Sequence, residues 1–410
     1  MLDFSDKPYQ FFPPTPNRLV IALAKMWNRR FVLPGKKHRI KQVELRNAER
    51  VLPLVQAGKR ILFLPNHSTH SDPQVMLEVQ RRLRINAATM AAYDVFLRGK
   101  LQAWFMQSIG CFSIDREGSD KQAMNCAIDI LMAGEQALTI FPEGNVLLMN
   151  DRVTPFLGGA AFIGMRAQKK LGADKPIYAV PVSMHFSHLQ CCRSEVMHQI
   201  EQLEGTLGME STDEQSTRKR MRQIGIHLLS RNLRQRGYMP PSADEEDLGQ
   251  LIEASALQII EKIEEKIELK PSSDPPIERI RRVRAAIHQI RIDEERQLDH
   301  RVAATWADEA ILALRILSYS SDYLSESPTL DRNCETLEKL REDLVEEILP
   351  PIADRGVVVQ FGDAINFADY LDAKNSRQAL ADLTSRFEGS VQSGLDEINQ
   401  SIDTPGSTVF

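Results

Sequence analysis

The sequence has 410 residues, of which 42% are hydrophobic and 26% are charged. This composition is ordinary for globular domains and excludes wholesale disorder, and at about 150 residues per domain the length allows two or three domains. The net charge of −5 divides into +12 for residues 1–240 and −17 for residues 241–410, so the front half favours an anionic partner. The five cysteines lie at scattered positions and indicate a reducing, cytoplasmic compartment rather than a disulfide framework.

Two features of the sequence argue against an integral membrane protein. The first residues are polar and proline-rich, without the basic region and apolar core of a signal peptide. The longest stretch free of Asp, Glu, Lys and Arg, residues 176–192, contains two prolines and two histidines, whereas a membrane-spanning helix needs about 20 mostly apolar residues. We therefore predict a cytoplasmic protein that contacts membranes only peripherally.

The first predicted element is a helix that Thr15 and Pro16 open as an N-cap and first-turn proline. Its apolar residues run from 19 to 27, and Arg18, Lys25, Arg29 and Arg30 supply the polar face. Such a helix suits a bilayer interface, and it equally suits packing against a protein core. Residues 25–60 hold eleven Lys and Arg against two acidic residues, a basic stretch that fits phospholipid headgroups, nucleic acid, an acidic protein or plain solvent. Residues 1–40 are thus predicted to be an N-terminal amphipathic helical segment.

From residue 60 to 186, short apolar runs alternate with helical periods, which predicts an α/β domain with a mostly parallel sheet flanked by helices. The expected strands are 61–64, 87–91, 112–114, 137–141 and 177–184, and the expected helices are 73–84, 95–108, 119–133 and 157–171.

Beyond residue 190 the pattern changes to long charged helices, expected at 250–270, 277–299, 303–318 and 332–348. A β-branched run at 357–361 interrupts them, and because a lone strand needs partners it is expected to join the front-half sheet. The sequence thus predicts a split α/β domain of residues 41–190 and 355–400, with a large all-helical insertion at 191–354 before the last strand. Residues 401–410 are expected to be a flexible tail.

The first motif with chemical potential lies at 61–73. An apolar strand ends at Pro65, Asn66 and His67 follow in the turn, and Asp72 opens the next helix. Open α/β sheets bind ligands at the carboxyl ends of their strands. If the turn folds back, Asp72 can accept the imidazole N–H, which fixes the tautomer and makes the other nitrogen a general base for an alcohol. The alternative is that Asp72 is only an N-cap and His67 a surface turn residue.

Three further motifs are associated with predicted strands. FPEGN at 141–145 lets Glu143 and Gly144 either line a polar pocket or form a plain turn. GCFSIDR at 110–116 places Arg116 where it can hold a phosphate or pair with a neighbouring aspartate. The Val-Pro-Val run at 180–182 is expected to be pocket wall. A covalent serine mechanism is not expected, because no G-x-S-x-G elbow is present.

A fifth set of residues, His185, His188, Cys191 and Cys192, spells H-x-x-H-x-x-C-C and can be interpreted as zinc ligands. The spacing fits no standard zinc site, and adjacent cysteines rarely bind one ion. We therefore expect no metal in this protein.

Taken in order, NHSTHSD, GCFSIDR, FPEG and AVPV resemble the four sequence blocks of the glycerolipid acyltransferase family. Its best-known member is 1-acylglycerol-3-phosphate acyltransferase. The resemblance covers about residues 60–185, and the helical stretch 190–350 lies outside the common pattern. Asn145 stands where Thr or Ser usually follows FPEG, and Asp363-Ala364 replaces the usual residue-Pro pair in the strand region 357–365.

The resemblance implies a histidine–aspartate acyltransferase of the family's α/β fold. The expected reaction moves a fatty acyl group from acyl-CoA or acyl carrier protein to the free hydroxyl of a lysophospholipid. The simplest acceptor is 1-acyl-sn-glycerol 3-phosphate, which gives phosphatidate in phospholipid biosynthesis, at an anionic membrane surface and without a cofactor or metal. The implied residues are His67 as base, Asp72 as its partner, Arg116, Glu143 and Gly144 as holders of the glycerol phosphate, and Asn66 and Pro142 as supports.

Three alternatives stay open. The acceptor can be another lysolipid or glycerol 3-phosphate, and the protein can be a non-catalytic membrane-binding homologue, although the intact His67, Asp72 and Glu143 argue against a decayed site. Nucleic-acid binding is not expected, because the basic stretch lacks interleaved aromatic residues beyond Trp27 and Phe31.

Overall fold

The computed structural model describes residues 9–116, 120–210, 216–240, 247–292, 300–372 and 375–410. Within these residues an eight-stranded sheet has the order β1-β7-β6-β2-β5-β3-β4, with β8 paired to β6. The strands are β1 Ile40–Arg46, β2 Arg60–Pro65, β3 Ala87–Ala92, β4 Cys111–Ile114, β5 Ala137–Thr139, β6 Ile177–His188, β7 Arg355–Phe361 and β8 Ile365–Asn366.

Five neighbouring strands, β6, β2, β5, β3 and β4, run parallel. Strands β7 and β1 are parallel to each other, and β7 and β8 each pair with β6 in the antiparallel sense. The predicted mostly parallel α/β fold is therefore confirmed, with two antiparallel pairings that the sequence pattern did not reveal.

Helices cover both faces of the sheet and fill the segment between β6 and β7. They are α1 Arg18–Trp27, α2 Leu52–Gln56, α3 Asp72–Arg82, α4 Asp94–Leu97, α5 Lys100–Ser108, α6 Lys121–Ala133, α7 Gly159–Leu171, α8 Arg193–Leu207, α9 Thr217–Gln235, α10 Leu248–Lys266, α11 Pro276–Ile292, α12 His300–Leu317, α13 Tyr323–Glu326, α14 Leu330–Val345 and α15 Ser376–Ser401. The expected helix at 95–108 is divided into α4 and α5 at Gly99, and the parts of the expected helices that cover 119 and 293–299 lie outside the described residues.

Strand β2 shows how the sequence produces the layers. Its residues Ile61 and Phe63 belong to the core on one face of the sheet, whereas Leu62 and Leu64 belong to the core on the other face. All four side chains are buried. A parallel strand covered on both faces needs such a continuous apolar run, so ILFL is a central strand rather than an edge.

The segment between β6 and β7 leaves and rejoins the sheet at one point. His188 at the end of β6 lies opposite Arg355 at the start of β7, and the Leu189 N–H donates to the Asp354 carbonyl over 3.0 Å. The segment is thus a very long hairpin connection, which explains why β7 runs antiparallel to β6. Its described helices form two cores of their own, one from α8, α9 and α14 and one centred on α10, α11 and α12, and two strands follow it rather than the single expected one.

The C-terminal residues 401–410 are packed, so the expectation of a flexible tail is wrong. Residues Pro405–Ser407 form a short helix that Thr404 caps. The Phe410 N–H donates to the Pro328 carbonyl over 2.7 Å. Gly406 lies so close to α14 that a Cβ atom there would overlap the carboxylate of Asp331, and this contact requires glycine.

Helix α1 buries Ile21 and Ala24 against the domain, together with one polar side chain. Its polar Lys25 is buried, and the Nζ atom donates to the Ile85 carbonyl over 2.8 Å and to Asn86 Oδ1 over 2.6 Å. Burial lowers the pKa of Lys25 to about 8. Five other large apolar side chains face outward and are each more than half exposed: Leu19, Leu23, Met26, Trp27 and, in the following turn, Phe31. We call these five residues the N-terminal apolar patch.

Among the described residues, no helix combines the length and the apolar character needed to cross a membrane.

Candidate functional site

The first motif forms the loop 66–71 between β2 and α3, at the carboxyl end of a central strand. The FPEGN segment follows β5, which pairs with β2 in parallel. Parallel neighbours bring their carboxyl ends to the same edge of the sheet, where open α/β sheets bind ligands. The two motifs therefore meet in space although 76 residues separate His67 from Glu143.

His67 and Asp72 form the predicted pair. The His67 Nδ1 atom lies 2.8 Å from Asp72 Oδ2, and because a carboxylate only accepts, Nδ1 carries the proton and Nε2 holds the lone pair. Asp72 is fully buried. Its oxygens also accept from the Thr69 N–H and the Thr69 hydroxyl, each over 2.9 Å. This geometry is that of an oriented general base rather than of a surface turn residue.

Two neighbouring residues, Asn66 and Phe141, fix the position of the His67 imidazole. Asn66 bonds to Met184 of β6 in both directions, accepting from its N–H over 2.7 Å and donating to its carbonyl over 3.0 Å. These two hydrogen bonds fix the loop to the sheet immediately before His67. The Phe141 ring packs on the imidazole with the ring centres 4.3 Å apart.

Glu143 connects the His67 loop to the chain that follows the FPEGN turn. Its Oε1 accepts from the His67 N–H over 2.6 Å, and its Oε2 accepts from the Thr154 N–H over 2.9 Å and the Thr154 hydroxyl over 2.6 Å. The carboxyl is buried. Burial raises the pKa of Glu143, and these hydrogen bonds act against the rise. Both oxygens thus bind protein groups and position the loop that carries His67.

Gly144 is required by the turn itself. Its φ of +75° lies in the left-handed region, and a Cβ atom there would come 2.8 Å from Leu157 Cδ1. The Gly144 N–H donates to the Phe141 carbonyl over 3.1 Å, and the Leu157 N–H donates to the Pro142 carbonyl over 2.8 Å. These two hydrogen bonds close the FPEG turn, so Pro142 and Gly144 on either side of Glu143 both take part in it.

Arg116 reaches the same edge from the end of β4. Its guanidinium donates to Asn145 Oδ1 over 3.3 Å and to Asp94 Oδ1 over 3.2 Å. It is not paired with its neighbour Asp120, which instead caps α6 by accepting from the Ala123 N–H. The side chain is about a quarter exposed. Arg116 therefore brings the GCFSIDR motif into contact with the FPEGN turn. One face of its guanidinium stays open to solvent.

The helical segment between β6 and β7 touches the loop 66–71. His70 Nε2 lies 3.1 Å from Glu342 Oε2 of α14. On the other side, His38 Nδ1 lies 3.0 Å from the Ser71 hydroxyl. Burial, with additional effects from nearby positive charges, lowers the pKa of His38 to about 4.

Several residues of this site were not identified from the sequence. Thr69, Thr154, Asn145 and Asp94 all bond directly to predicted site residues. Thr69 stands inside the first motif and carried a usable signal, since a hydroxyl three residues before a helical aspartate can bond to it. The contacts of Thr154 and Asp94 depend on the fold, because 11 and 22 residues separate them from their partners.

Residues 42–185 match the model of the Acyltransferase family. The match contains all four motifs, so it confirms the family resemblance seen in them, and it extends toward the N-terminus to include most of β1. The segment after β6 and the strands β7 and β8 lie outside it. No curated protein sequence is similar enough to the whole chain to count as a match. The match supports acyl transfer in glycerolipid metabolism as the general chemistry of this domain.

Proposed function

We propose that this protein transfers a fatty acyl group from an acyl thioester to the free hydroxyl of a lysophospholipid, with 1-acyl-sn-glycerol 3-phosphate as the acceptor and phosphatidate as the product. The observation that carries the proposal is the 2.8 Å contact between His67 Nδ1 and the buried Asp72 carboxylate, inside a domain that matches the Acyltransferase family. The donor is acyl-CoA or acyl carrier protein.

The pair supplies the proton transfer that the reaction needs. His67 Nε2 removes the proton from the acceptor hydroxyl as its oxygen attacks the thioester carbonyl carbon. A new C–O bond forms, the C–S bond breaks, and the thiolate leaves with the proton that His67 returns. Asp72 keeps Nδ1 protonated throughout and stabilises the transient imidazolium, as carboxylates do in comparable acyl-transfer sites.

The other site residues take different parts. Glu143 positions His67 through its backbone N–H and is a positioning residue in this proposal. Arg116 presents a guanidinium at the edge of the FPEGN turn, where it can exchange Asn145 and Asp94 for a phosphate bound by two parallel N–H donors. Gly144 serves the turn, because its N–H already donates to the Phe141 carbonyl.

The N-terminal apolar patch is proposed to dock the protein on an anionic lipid surface, from which the acceptor is drawn. The buried Lys25 anchors α1 to the domain while five large apolar side chains remain outside. Arg18, Arg29 and Arg30, in the same helix and the turn after it, are also exposed. Aromatic and aliphatic side chains flanked by arginine are the composition of interfacial helices that bind anionic membranes.

A product assay tests the function. The purified protein is offered lysophosphatidate, lysolipids with other headgroups and glycerol 3-phosphate, each with acyl-CoA and with acyl-acyl carrier protein, and the lipid product is identified by mass spectrometry. Phosphatidate as the main product supports the proposal. A different diacyl lipid would keep the chemistry and overturn the acceptor, and binding to anionic vesicles without product from any pair would make the protein a non-catalytic membrane-binding homologue.

A further inference from the structure

We infer that His188, Cys192 and Cys334 form a structural site for a zinc-type divalent metal ion where the sheet meets the helical segment that follows it. His188 ends β6, Cys192 immediately precedes α8, and Cys334 lies in α14. One ring nitrogen and the two sulfur atoms lie within 4.8 Å of one another. All three residues are buried.

The imidazole of His188 is prepared for a ligand. Its Nδ1 lies 2.7 Å from Asp331 Oδ1, and Asp331 is further fixed by the His188 N–H over 2.9 Å and the Ser187 hydroxyl over 2.5 Å. Within the described part of the chain, the buried Nε2 has no hydrogen-bond partner. A histidine that donates one N–H to a carboxylate and keeps its other nitrogen free is the usual arrangement of a metal-binding histidine.

The spacing of the two sulfur atoms also fits a shared ion. Cys192 Sγ and Cys334 Sγ are 3.6 Å apart. Two sulfur atoms bound tetrahedrally to one zinc ion at about 2.3 Å lie about 3.8 Å from each other, whereas a disulfide bond is about 2.05 Å long. The thiols are thus placed as a pair of ligands rather than as a bonded pair.

Glu338 is the candidate for the fourth position. It follows Cys334 by four residues in α14, so the two side chains share one helix face. Glu338 is buried, and its Oε1 accepts from the Ile352 N–H over 2.7 Å. The structure brings together three ligand atoms, the two sulfur atoms and one imidazole nitrogen. With a Glu338 oxygen turned toward them, the set becomes the closed, four-coordinate type that holds structural zinc. Binding releases the two thiol protons to solvent, and the ion's two positive charges balance the two thiolates.

This set differs from the one that the sequence offered. His185 instead lies 2.9 Å from Asp151, and Cys191 is exposed. Only His188 and Cys192 of the H-x-x-H-x-x-C-C motif take part, and the third ligand comes from 142 residues further along the chain. A metal there would tie β6, α8 and α14 together at the base of the helical segment.

The test uses the full chain, purified with reductant, loaded with zinc and freed of excess metal. We expect elemental mass spectrometry to find one zinc ion per chain. Loading with cobalt instead is expected to give an intense thiolate-to-cobalt absorption band. Cys192→Ser and Cys334→Ser are each expected to lose the metal. Asp331→Asn, which weakens the support of His188, is expected to lower zinc affinity by about 10- to 100-fold. Cys191→Ser is the matched control and is expected to keep full zinc content.

Three results would overturn the inference. The first is a wild-type protein with reduced thiols that takes up neither zinc nor cobalt. The second is equal metal loss in Cys191→Ser and Cys192→Ser. The third is a mass two hydrogen atoms lower under non-reducing conditions, with the crosslinked peptides containing Cys192 and Cys334, which would show a disulfide in place of the metal. Because the wild-type cobalt spectrum decides the matter alone, a variant that fails to fold does not block the test.

Discussion

Replacing Asp72 by asparagine separates the two roles of this carboxylate, which are to fix the tautomer of His67 and to place a negative charge beside it. Asp72 Oδ2 accepts from His67 Nδ1 and the Thr69 N–H, and Oδ1 faces the Thr69 hydroxyl. An asparagine can place its oxygen at the Oδ2 position and its NH₂ group against the Thr69 oxygen, which can accept by rotating its hydrogen. Asp72→Asn is therefore expected to keep the His67 tautomer and to remove only the negative charge.

The size of the effect follows from the distance. An imidazolium about 4 Å from a carboxylate gains about 4 kcal/mol at an effective dielectric constant of about 20. The amide dipole replaces part of this, so about 3 kcal/mol of transition-state stabilisation is lost, which lowers kcat by about 100-fold. Asp72→Ala also leaves His67 Nδ1 and the Thr69 N–H without their acceptor, and it is expected to lower kcat by about 1,000-fold or more.

Initial rates of thiol release and of diacyl lipid formation, at varied acceptor concentration, measure these changes. KM should change little, because Asp72 is fully buried and makes no contact with the acceptor in our proposal. Asp129→Asn, an exposed position on α6, is the matched control with wild-type kcat. Equal kcat for Asp72→Asn and wild type would refute the role of the charge, and equal kcat for the asparagine and alanine variants would refute the orientation assigned to the amide.

Four further predictions concern the residues around the pair. Glu143→Gln places an NH₂ group against donors that now face oxygens, so it should lower the free energy of unfolding by about 1–3 kcal/mol in urea titrations and reduce kcat, and unchanged stability would contradict this. Arg116→Gln should lower kcat/KM for lysophosphatidate by about 10- to 100-fold while sparing an acceptor without phosphate, and an equal loss for both acceptors would contradict phosphate binding. Leu23→Ser combined with Trp27→Ser should weaken binding to anionic vesicles by about 100-fold, since each side chain contributes about 1.5 kcal/mol on burial; undiminished binding in sedimentation would remove the docking role of the patch. The unfolded state takes up a proton on His38 below about pH 6.5, but the folded state does so only near pH 4, so stability should fall as pH drops from 7 to 5, by about 1 kcal/mol after allowance for solvent screening, and His38→Gln should reduce this loss.

Much of the fold was visible in the sequence because a central parallel strand is apolar throughout. Strands β2, β3, β5 and β6 were predicted within a few residues for this reason. Strand β1 was missed because it lies in the basic stretch, and its residues Lys41, Glu44 and Arg46 read as a polar surface. Its partner β7 lies more than 300 residues away, so no local pattern indicates the pairing.

The flexible tail was predicted for the same reason that β1 was missed, namely that short polar segments carry no local signal. Thr404, Gly406 and Phe410 obtain their contacts from β6 and from the start of α14. Only the folded hairpin connection brings those elements to the C-terminus, so packing of the tail is a property of the tertiary structure.

The contact between His67 and Asp72 was predictable because the two residues stand only five positions apart, across one loop. The contact between Glu143 and the His67 N–H was not predictable, because it depends on the pairing of β2 with β5. The same reason hid the third residue of the His188 and Cys192 cluster. Sequence patterns thus revealed chemistry within one loop and missed contacts that the sheet order creates.

The most direct measurement of the central claim is the turnover of His67→Ala with lysophosphatidate and an acyl thioester, after circular dichroism has shown that the variant is folded. We expect phosphatidate formation to fall by about 1,000-fold or more, because the variant has no base for the acceptor hydroxyl. Turnover close to that of the wild type would contradict the assignment of His67 as the catalytic base.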